Sequence, residues 1–321
     1  MSEPYIYYVA NAFAPAAFGG NPAGVFPCAE GLSEEQMLAI AKQLNLVETV
    51  FVLPPSLDSA DFRLRYFTPE KELPIAGHPT IAAWVVLAFV GMADPKRKDR
   101  YRQQTQNGIQ EIALEVDRGN IRVLMQQASP QFRGEIKDRG RVAKIFSLGE
   151  EDLLPELPVE SVDTGLGHIV FGVATLAALM KVRRNIEPLK ELCKEFGASE
   201  AQIFCSQTYD PSLSLHTRNI CPREGMEDPA CGVGNSALLA YLMKNNYLRS
   251  TTAEIYAEQG HIENRPSIIY VRGTRAAKGE LYQSHYELTR DSQSREAMEV
   301  MRVASLVKAC QALQQASTMS L

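Results

Sequence analysis

Glu72-Leu73-Pro74-Ile75-Ala76-Gly77 and Glu227-Asp228-Pro229-Ala230-Cys231-Gly232 align without a gap, and Glu, Pro and Gly coincide. After each Gly comes a run of small and apolar residues that reads as a helix. It is His78-Pro79-Thr80-Ile81-Ala82-Ala83-Trp84 in one copy and Val233-Gly234-Asn235-Ser236-Ala237-Leu238-Leu239 in the other. Upstream, Arg65-Tyr66-Phe67-Thr68-Pro69 faces Arg218-Asn219-Ile220-Cys221-Pro222, slightly out of register. Further back, Lys42 through Glu48 to Phe51 matches Lys194 through Glu200 to Phe204 with one insertion. One short match arises by chance; matched blocks in the same order mark a duplicated unit. The chain therefore reads as two similar halves, each with strands around a helix. Each half offers one glycine-containing loop that opens a helix.

Working outward, Ser33 with Gln36 three positions on is a capping-box pattern. Met37, Ile40, Ala41 and Leu44 then follow helical spacing. Val50-Phe51-Val52 reads as a strand that Pro54-Pro55 stops. Between Tyr101 and Gln127, apolar residues such as Ile109, Ile112, Leu114 and Val116 suggest further strands. The boundary falls near Ala128–Arg133, giving halves of 1–128 and 129–321. From Glu296 to Leu321 the spacing of Val300, Val303, Leu306, Ala309 and Leu313 reads as a helix, and a C-terminal strand or helix is expected to pack back on the first half or on a partner.

A length of 321 residues exceeds what one hydrophobic core usually fills, which agrees with two halves. A net charge of −5 without a basic block gives no nucleic-acid surface. The longest apolar run, near Ile81–Val90, is about ten residues, roughly half of a membrane span. The first ten residues carry no secretory pattern. Cys28, Cys193, Cys205, Cys221, Cys231 and Cys310 lack CxxC spacing and read as reduced cytoplasmic thiols. His78, His168, His216, His261 and His285 show no HExxH or paired spacing, so no zinc motif is present.

The chemistry gathers at the repeated loops. A Pro-x-x-Gly loop entering a helix brings unpaired N–H groups and the positive dipole end to one spot, which favours a carboxylate. Gly77 and Gly232 open the two helices. Two such starts facing each other across a cleft would hold one small acid. Glu48 sits among apolar residues; it is either a buried base with a raised pKa or an edge-strand carboxylate in water. His78 is placed to donate to a substrate, or to cap or fill the core. Asp228 either orients a substrate amine or hydroxyl or caps the next helix. Cys231 lies where a helix N-terminus lowers a thiol pKa, although an inert buried cysteine is the commoner case.

The ordered motifs resemble the PhzF-like family of phenazine biosynthesis, within the diaminopimelate-epimerase fold superfamily. They are Asn11-Ala12-Phe13, Gly20-Asn21-Pro22-Ala23-Gly24-Val25, Val47-Glu48-Thr49-Val50-Phe51 and Arg65-Tyr66-Phe67-Thr68-Pro69 with Glu72. Ala76-Gly77-His78-Pro79-Thr80, Glu227-Asp228-Pro229-Ala230-Cys231-Gly232, Gln259-Gly260 and Arg265-Pro266-Ser267 complete the set. The resemblance runs from about residue 5 to about residue 270. It implies an α+β fold of two pseudo-symmetric halves, each a β-barrel-like sheet wrapped around a central helix, with the site in the cleft between. It implies an isomerase that uses no cofactor and no metal and forms a homodimer. Glu48 matches the family's catalytic glutamate. Gly77, His78 and Asp228 match its substrate-binding and proton-relay positions, and Cys231 and Gly232 complete the second loop.

Three departures matter. Ala76 stands where the epimerases carry one of two cysteines, which excludes a symmetric two-thiol mechanism. Cys231 stands where PhzF-like proteins more often have Thr. Val233 replaces a Ser, removing a hydroxyl from the site. The expected reaction is a proton shift within a small carboxylic acid by Glu48, assisted by His78. A racemase or epimerase using Glu48 and Cys231 on opposite faces stays open, and so does a dimer that binds a small molecule without turnover.

Overall fold

The computed structural model describes residues 4–117, 120–275, 282–287 and 298–303. The first half runs β1 (Tyr5–Ala12), β2 (Asn21–Phe26), α1 (Glu34–Leu44), β3 (Glu48–Leu53), β4 (Phe62–Phe67), β5 (Glu72–Leu73), α2 (Gly77–Phe89), β6 (Arg100–Thr105), β7 (Gly108–Asp117) and β8 (Asn120–Gln126). The chain continues through β9 (Gln131–Glu135), α3 (Arg139–Ile145), β10 (Glu160–Asp163), β11 (Gly167–Gly172), α4 (Leu176–Lys181), α5 (Ile186–Glu195), β12 (Glu200–Cys205), β13 (Leu215–Cys221) and β14 (Met226–Asp228). It ends with α6 (Gly232–Lys244), β15 (Thr252–Gln259), β16 (Ser267–Arg275), β17 (Tyr282–Glu287) and β18 (Met298–Val303).

The duplication is visible strand by strand. In the first half β1 pairs antiparallel with β2, β2 runs parallel to β3, β3 pairs with β4, β4 runs parallel to β6, and β6, β7 and β8 form a meander. The second half repeats that pattern with β10, β11, β12, β13, β15, β16 and β17. Antiparallel pairing of β8 with β17 joins the two curled sheets. Each half then hands its last strand to the other. Strand β9 follows the first half and pairs with β10, and β18 follows the second and pairs with β1.

Strand β18 corrects the helix expected in the C-terminal segment. Val300 and Val303 lie in a strand; Leu306, Ala309 and Leu313 fall outside the described residues. Two apolar positions three apart fit one helical turn, but the free edge of β1 offers a row of unpaired N–H and C=O groups that a strand satisfies. The other local expectations hold. Ser33 caps α1 with both capping-box bonds present, and Met37, Ile40 and Ala41 are buried. The Tyr101–Gln127 stretch forms β6, β7 and β8, with Ile112 and Leu114 buried and Ile109 and Val116 exposed.

Helices α2 and α6 are apolar nearly all round, which suits only a buried position. From Pro79 to Leu87 only Val85 of α2 is not fully buried, and in α6 Ala237 through Met243 all are. Each helix is wrapped by the sheet of its own half, and their side chains belong to one continuous core. Helices α3, α4 and α5 cover the outside of the second sheet with a separate cluster, and α1 covers the first. No helix among the described residues is long and apolar enough to cross a membrane.

Candidate active site

Both helix starts are positioned by the same device. Arg65 on β4 grips Glu72 on β5 through two bonds, Nε to Oε1 at 2.7 Å and Nη2 to Oε2 at 2.6 Å. Arg218 on β13 grips Glu227 on β14 the same way, at 2.8 and 2.7 Å. This bidentate fork fixes the short strand that leads into each loop. The second pair is fully buried, and Arg218 also donates to the carbonyls of Leu179 and Val182.

Glu48 begins β3, opposite Ala23 in the parallel register. Burial first, then the charges of Asp228 and Glu224, push its carboxyl up to about 8. Its Oε2 lies 3.5 Å from Nδ1 of His78 in the first turn of α2. Burial pulls the His78 imidazole down to about 4, against the pull of the Pro22 carbonyl. At neutral pH the contact therefore joins a largely protonated carboxyl to a neutral ring, not two ions. Nε2 of His78 is buried with no partner in the protein. The N-cap of α2, Ala76, offers no side-chain bond, so the N–H groups at this start, Gly77 included, meet no capping side chain.

Asp228 ends β14 and ties the halves together. Asn21 on β2 donates Nδ2 to its Oδ1 at 2.8 Å, and the Ala230 N–H donates to the same oxygen at 2.8 Å. Burial pushes this carboxyl up to about 7, although the Ala230 N–H works the other way. Asp228 does not cap α6. That position belongs to Cys231, whose sulfur accepts from the Gly234 N–H at 3.3 Å. Gly232 is buried at the first position of the helix. Of the two readings of Cys231, the buried thiol is the one that its surroundings favour. Burial, then the carboxylates of Glu200 and Asp228, hold the thiol well above its ordinary value despite the helix N–H groups. The dipole of one helix start, worth about 1 kcal/mol, is too small to offset complete desolvation beside two carboxyls.

Behind Cys231 stand two groups. His168 on β11 and Glu200 on β12 are register partners, as Ala23 and Glu48 are in the first half. The ring Nε2 of His168 lies 3.1 Å from Glu200 Oε2, and Cys231 Sγ lies 3.9 Å from each. Burial would raise Glu200, but contact with His168, Asn219 and Cys221 outweighs it and holds the carboxyl below its ordinary value. The structure thus brings Glu48, His78, Asp228 and Cys231 to one place between the starts of α2 and α6. It adds Asn21, His168 and Glu200 to them.

Residues 10–288 match the phenazine biosynthesis-like protein family. The chain belongs to that family. It is 31% identical over 278 residues to an uncharacterized isomerase of Escherichia coli K12, YddE, covering 85% of this chain and 91% of the relative. It is 29% identical over 276 residues to an uncharacterized isomerase of Clostridium acetobutylicum, covering 84% and 90%. The Bacillus anthracis phenazine biosynthesis protein of the PhzF family superposes with a TM-score of 0.83 at 27% identity, over 94% of this chain and 99% of that one. A hydroxyproline epimerase of Agrobacterium vitis shares the fold, with a TM-score of 0.58 at 13% identity over 94% of each chain. The phenazine biosynthesis-like chain is thus an enzyme of the isomerase class, built on the pseudo-symmetric fold.

Sequence reasoning gave no role to Asn21, His168 or Glu200 in this phenazine biosynthesis-like site. Glu200 carried a signal, since it occupies the position of Glu48 in the duplicated blocks. Asn21 lay inside a quoted motif. His168 carried none, because its partners come from β12 and the start of α6, far along the chain.

Proposed function

We propose that a small carboxylic acid binds between the starts of α2 and α6 and that Glu48 moves a proton within it. The observation that carries this reading is the half-buried Glu48 carboxyl, 16% exposed, raised to about 8 and 3.5 Å from a neutral His78 whose Nε2 has no protein partner. A base needs a pKa near working pH, and a charge forming on the substrate needs fixed donors. The N–H groups at the two helix starts supply the donors, with Gly77 and Gly232 leaving the approach open. His78 relays or holds the proton, and Asp228 with Asn21 orients the ligand. With one base, the shift delivers the proton back to the same face. The same reading takes the protein as a cytoplasmic homodimer, which sedimentation of the purified chain and fractionation of cells check.

A second reading, racemisation or epimerisation, is favoured by one observation. The Cys231 thiol caps α6, and His168 and Glu200 stand 3.9 Å behind it. Inversion needs a donor on the face opposite Glu48, and a thiol that keeps its proton is such a donor.

Incubation in D₂O with a panel of small carboxylic acids tests both readings. Deuterium enters one compound with wild-type protein and not with Glu48→Gln. If the label appears at a carbon other than the one deprotonated and Cys231→Ala keeps that exchange, the isomerase reading stands; if label enters at an inverted centre and Cys231→Ala abolishes it, the racemase reading does. Exchange that survives Glu48→Gln refutes both.

A further inference from the structure

The two halves of the duplication differ most at one point. In the first, Glu48 is flanked by Ala23 across the strand pair and Ala76 at the helix cap. In the second, the matching places around Glu200 hold His168 and Cys231. Both halves keep the carboxylate, but only the second sets an imidazole across the strand pair from it and a thiol at the helix cap. All three residues are buried, His168 completely, and their donor atoms lie within 4.8 Å of one another.

The geometry points to a binding site for a single thiophilic divalent cation of the zinc kind, held by His168 Nε2, Glu200 Oε2 and Cys231 Sγ. The distances suit it. Bonds of about 2.3 Å to sulfur and about 2.0–2.2 Å to nitrogen and oxygen, at tetrahedral angles, place the donors roughly 3.3–3.6 Å apart. Here they are 3.1, 3.9 and 3.9 Å apart, so side-chain shifts of a few tenths of an ångström close the site.

The surroundings suit it too. His168 Nδ1 lies 2.8 Å from the Leu166 carbonyl, which can only accept. Nδ1 therefore keeps its proton, and Nε2, which faces Glu200 and Cys231, is the ring atom that would exchange its contact with Glu200 for the cation. A ring fixed by a backbone carbonyl on its far nitrogen is the usual outer support of a metal-binding histidine. Asn219 and Cys221 stand in the same role behind Glu200. Burying a thiol beside two carboxyls is costly as long as the only cation is a proton; a divalent ion neutralises all of them at once and releases the thiol proton to solvent. Mixed sulfur, nitrogen and oxygen donors select zinc or cobalt over magnesium or calcium. Three protein ligands leave a coordination position for water or a ligand.

The cation would lie beside the start of α6, and Glu48 is not among its ligands, so metal binding and the Glu48 proton shift are read by separate assays. It is incompatible with inversion through Cys231, because a metal-bound thiolate no longer donates a proton. Zinc or cobalt chloride, titrated into the chelator-treated full chain without substrate, tests it. One equivalent of Zn²⁺ binds at micromolar or lower concentration and raises Tm by mass action. Co²⁺ gives a thiolate-to-metal band in the near ultraviolet. Cys231→Ser preserves volume and fold, removes the band and weakens Zn²⁺ binding at least about tenfold. His168→Gln does likewise with its thiol intact. Lack of saturable binding by a folded wild-type chain overturns the proposal, leaving a plain His168–Glu200 ion pair. So does binding that Cys231→Ser leaves unchanged. The D₂O exchange, run with chelator present, fails or succeeds separately.

Discussion

At the scale of single residues, environment separates two equivalent carboxyls. Glu48 and Glu200 both begin a strand that runs parallel to its neighbour, yet one is raised to about 8 and the other is held below its ordinary value. The difference is the partner: alanine across the strand in one half, histidine in the other. The glutamate, the histidine and the loops were legible because motif and duplication both singled them out. The ionisation states were not, because burial and through-space charge have no sequence signal. They give a prediction with a definite sign. The half-buried Glu48 keeps its proton to about 8, while in the unfolded chain it loses it near 4.5. Its contribution to stability is therefore fully present below about 4.5 and is lost as pH rises through 8, on the order of a few kcal/mol. His78 acts oppositely: its folded value of about 4 lies below the ordinary imidazole value of 6.5, so stability is lost as pH falls through that window. Glu48→Gln removes the alkaline limb only. Urea unfolding at pH 6.5 and 8.5 checks it: the variant gains on wild type at the higher pH, and an equal difference at both refutes the assignment. In the exchange assay the wild-type rate climbs toward pH 8, as the base form appears.

At the scale of elements, the two arginine–glutamate forks make the loops rigid enough to matter. Their residues were aligned from sequence, Arg65 with Arg218 and Glu72 with Glu227, but the pairing itself needed the strand geometry. The forks differ in burial: Arg218 and Glu227 side chains are 3% and 1% exposed, Arg65 and Glu72 14% and 13%. Removing one member of a fully buried pair strands an uncompensated charge and costs about 3–5 kcal/mol. Glu227→Ala accordingly destabilises by that amount, and Arg218 loses its alignment with the Leu179 and Val182 carbonyls as well. Glu72→Ala costs less, because Arg65 is closer to water and retains Glu34 at 2.6 Å. Denaturant midpoints of the two variants measure the contrast; equal losses would show that burial does not set the worth of the fork.

At the scale of the molecule, duplication predicted two halves but not how they are closed. Periodicity reports the faces of an element, whereas closure depends on which edge a strand finds. Six residues near the C-terminus with apolar positions three apart fit a helix locally, and only the free edge of β1 decides for β18. The same logic operates at β9, which leaves the first half to complete the second. Because each half finishes the sheet of the other, neither has a complete set of strands from its own stretch of chain. The exchange, with the Asn21–Asp228 bond, therefore couples the two halves. Neighbouring prolines in β18 test this. In an antiparallel ladder, successive residues alternate between facing the partner and facing away. Val300 pairs with Tyr8 and Met301 with Tyr7, so one of the two N–H groups donates to β1 and the other does not. Proline removes a ladder bond at the first position and is tolerated at the second. Val300→Pro and Met301→Pro should thus differ, one lowering Tm and the exchange rate together and the other close to wild type. The coupled loss follows because opening β1 loosens β2 and with it Asn21, which holds Asp228 of the other half. Two variants that both match wild type would mean that β18 does not close the first sheet.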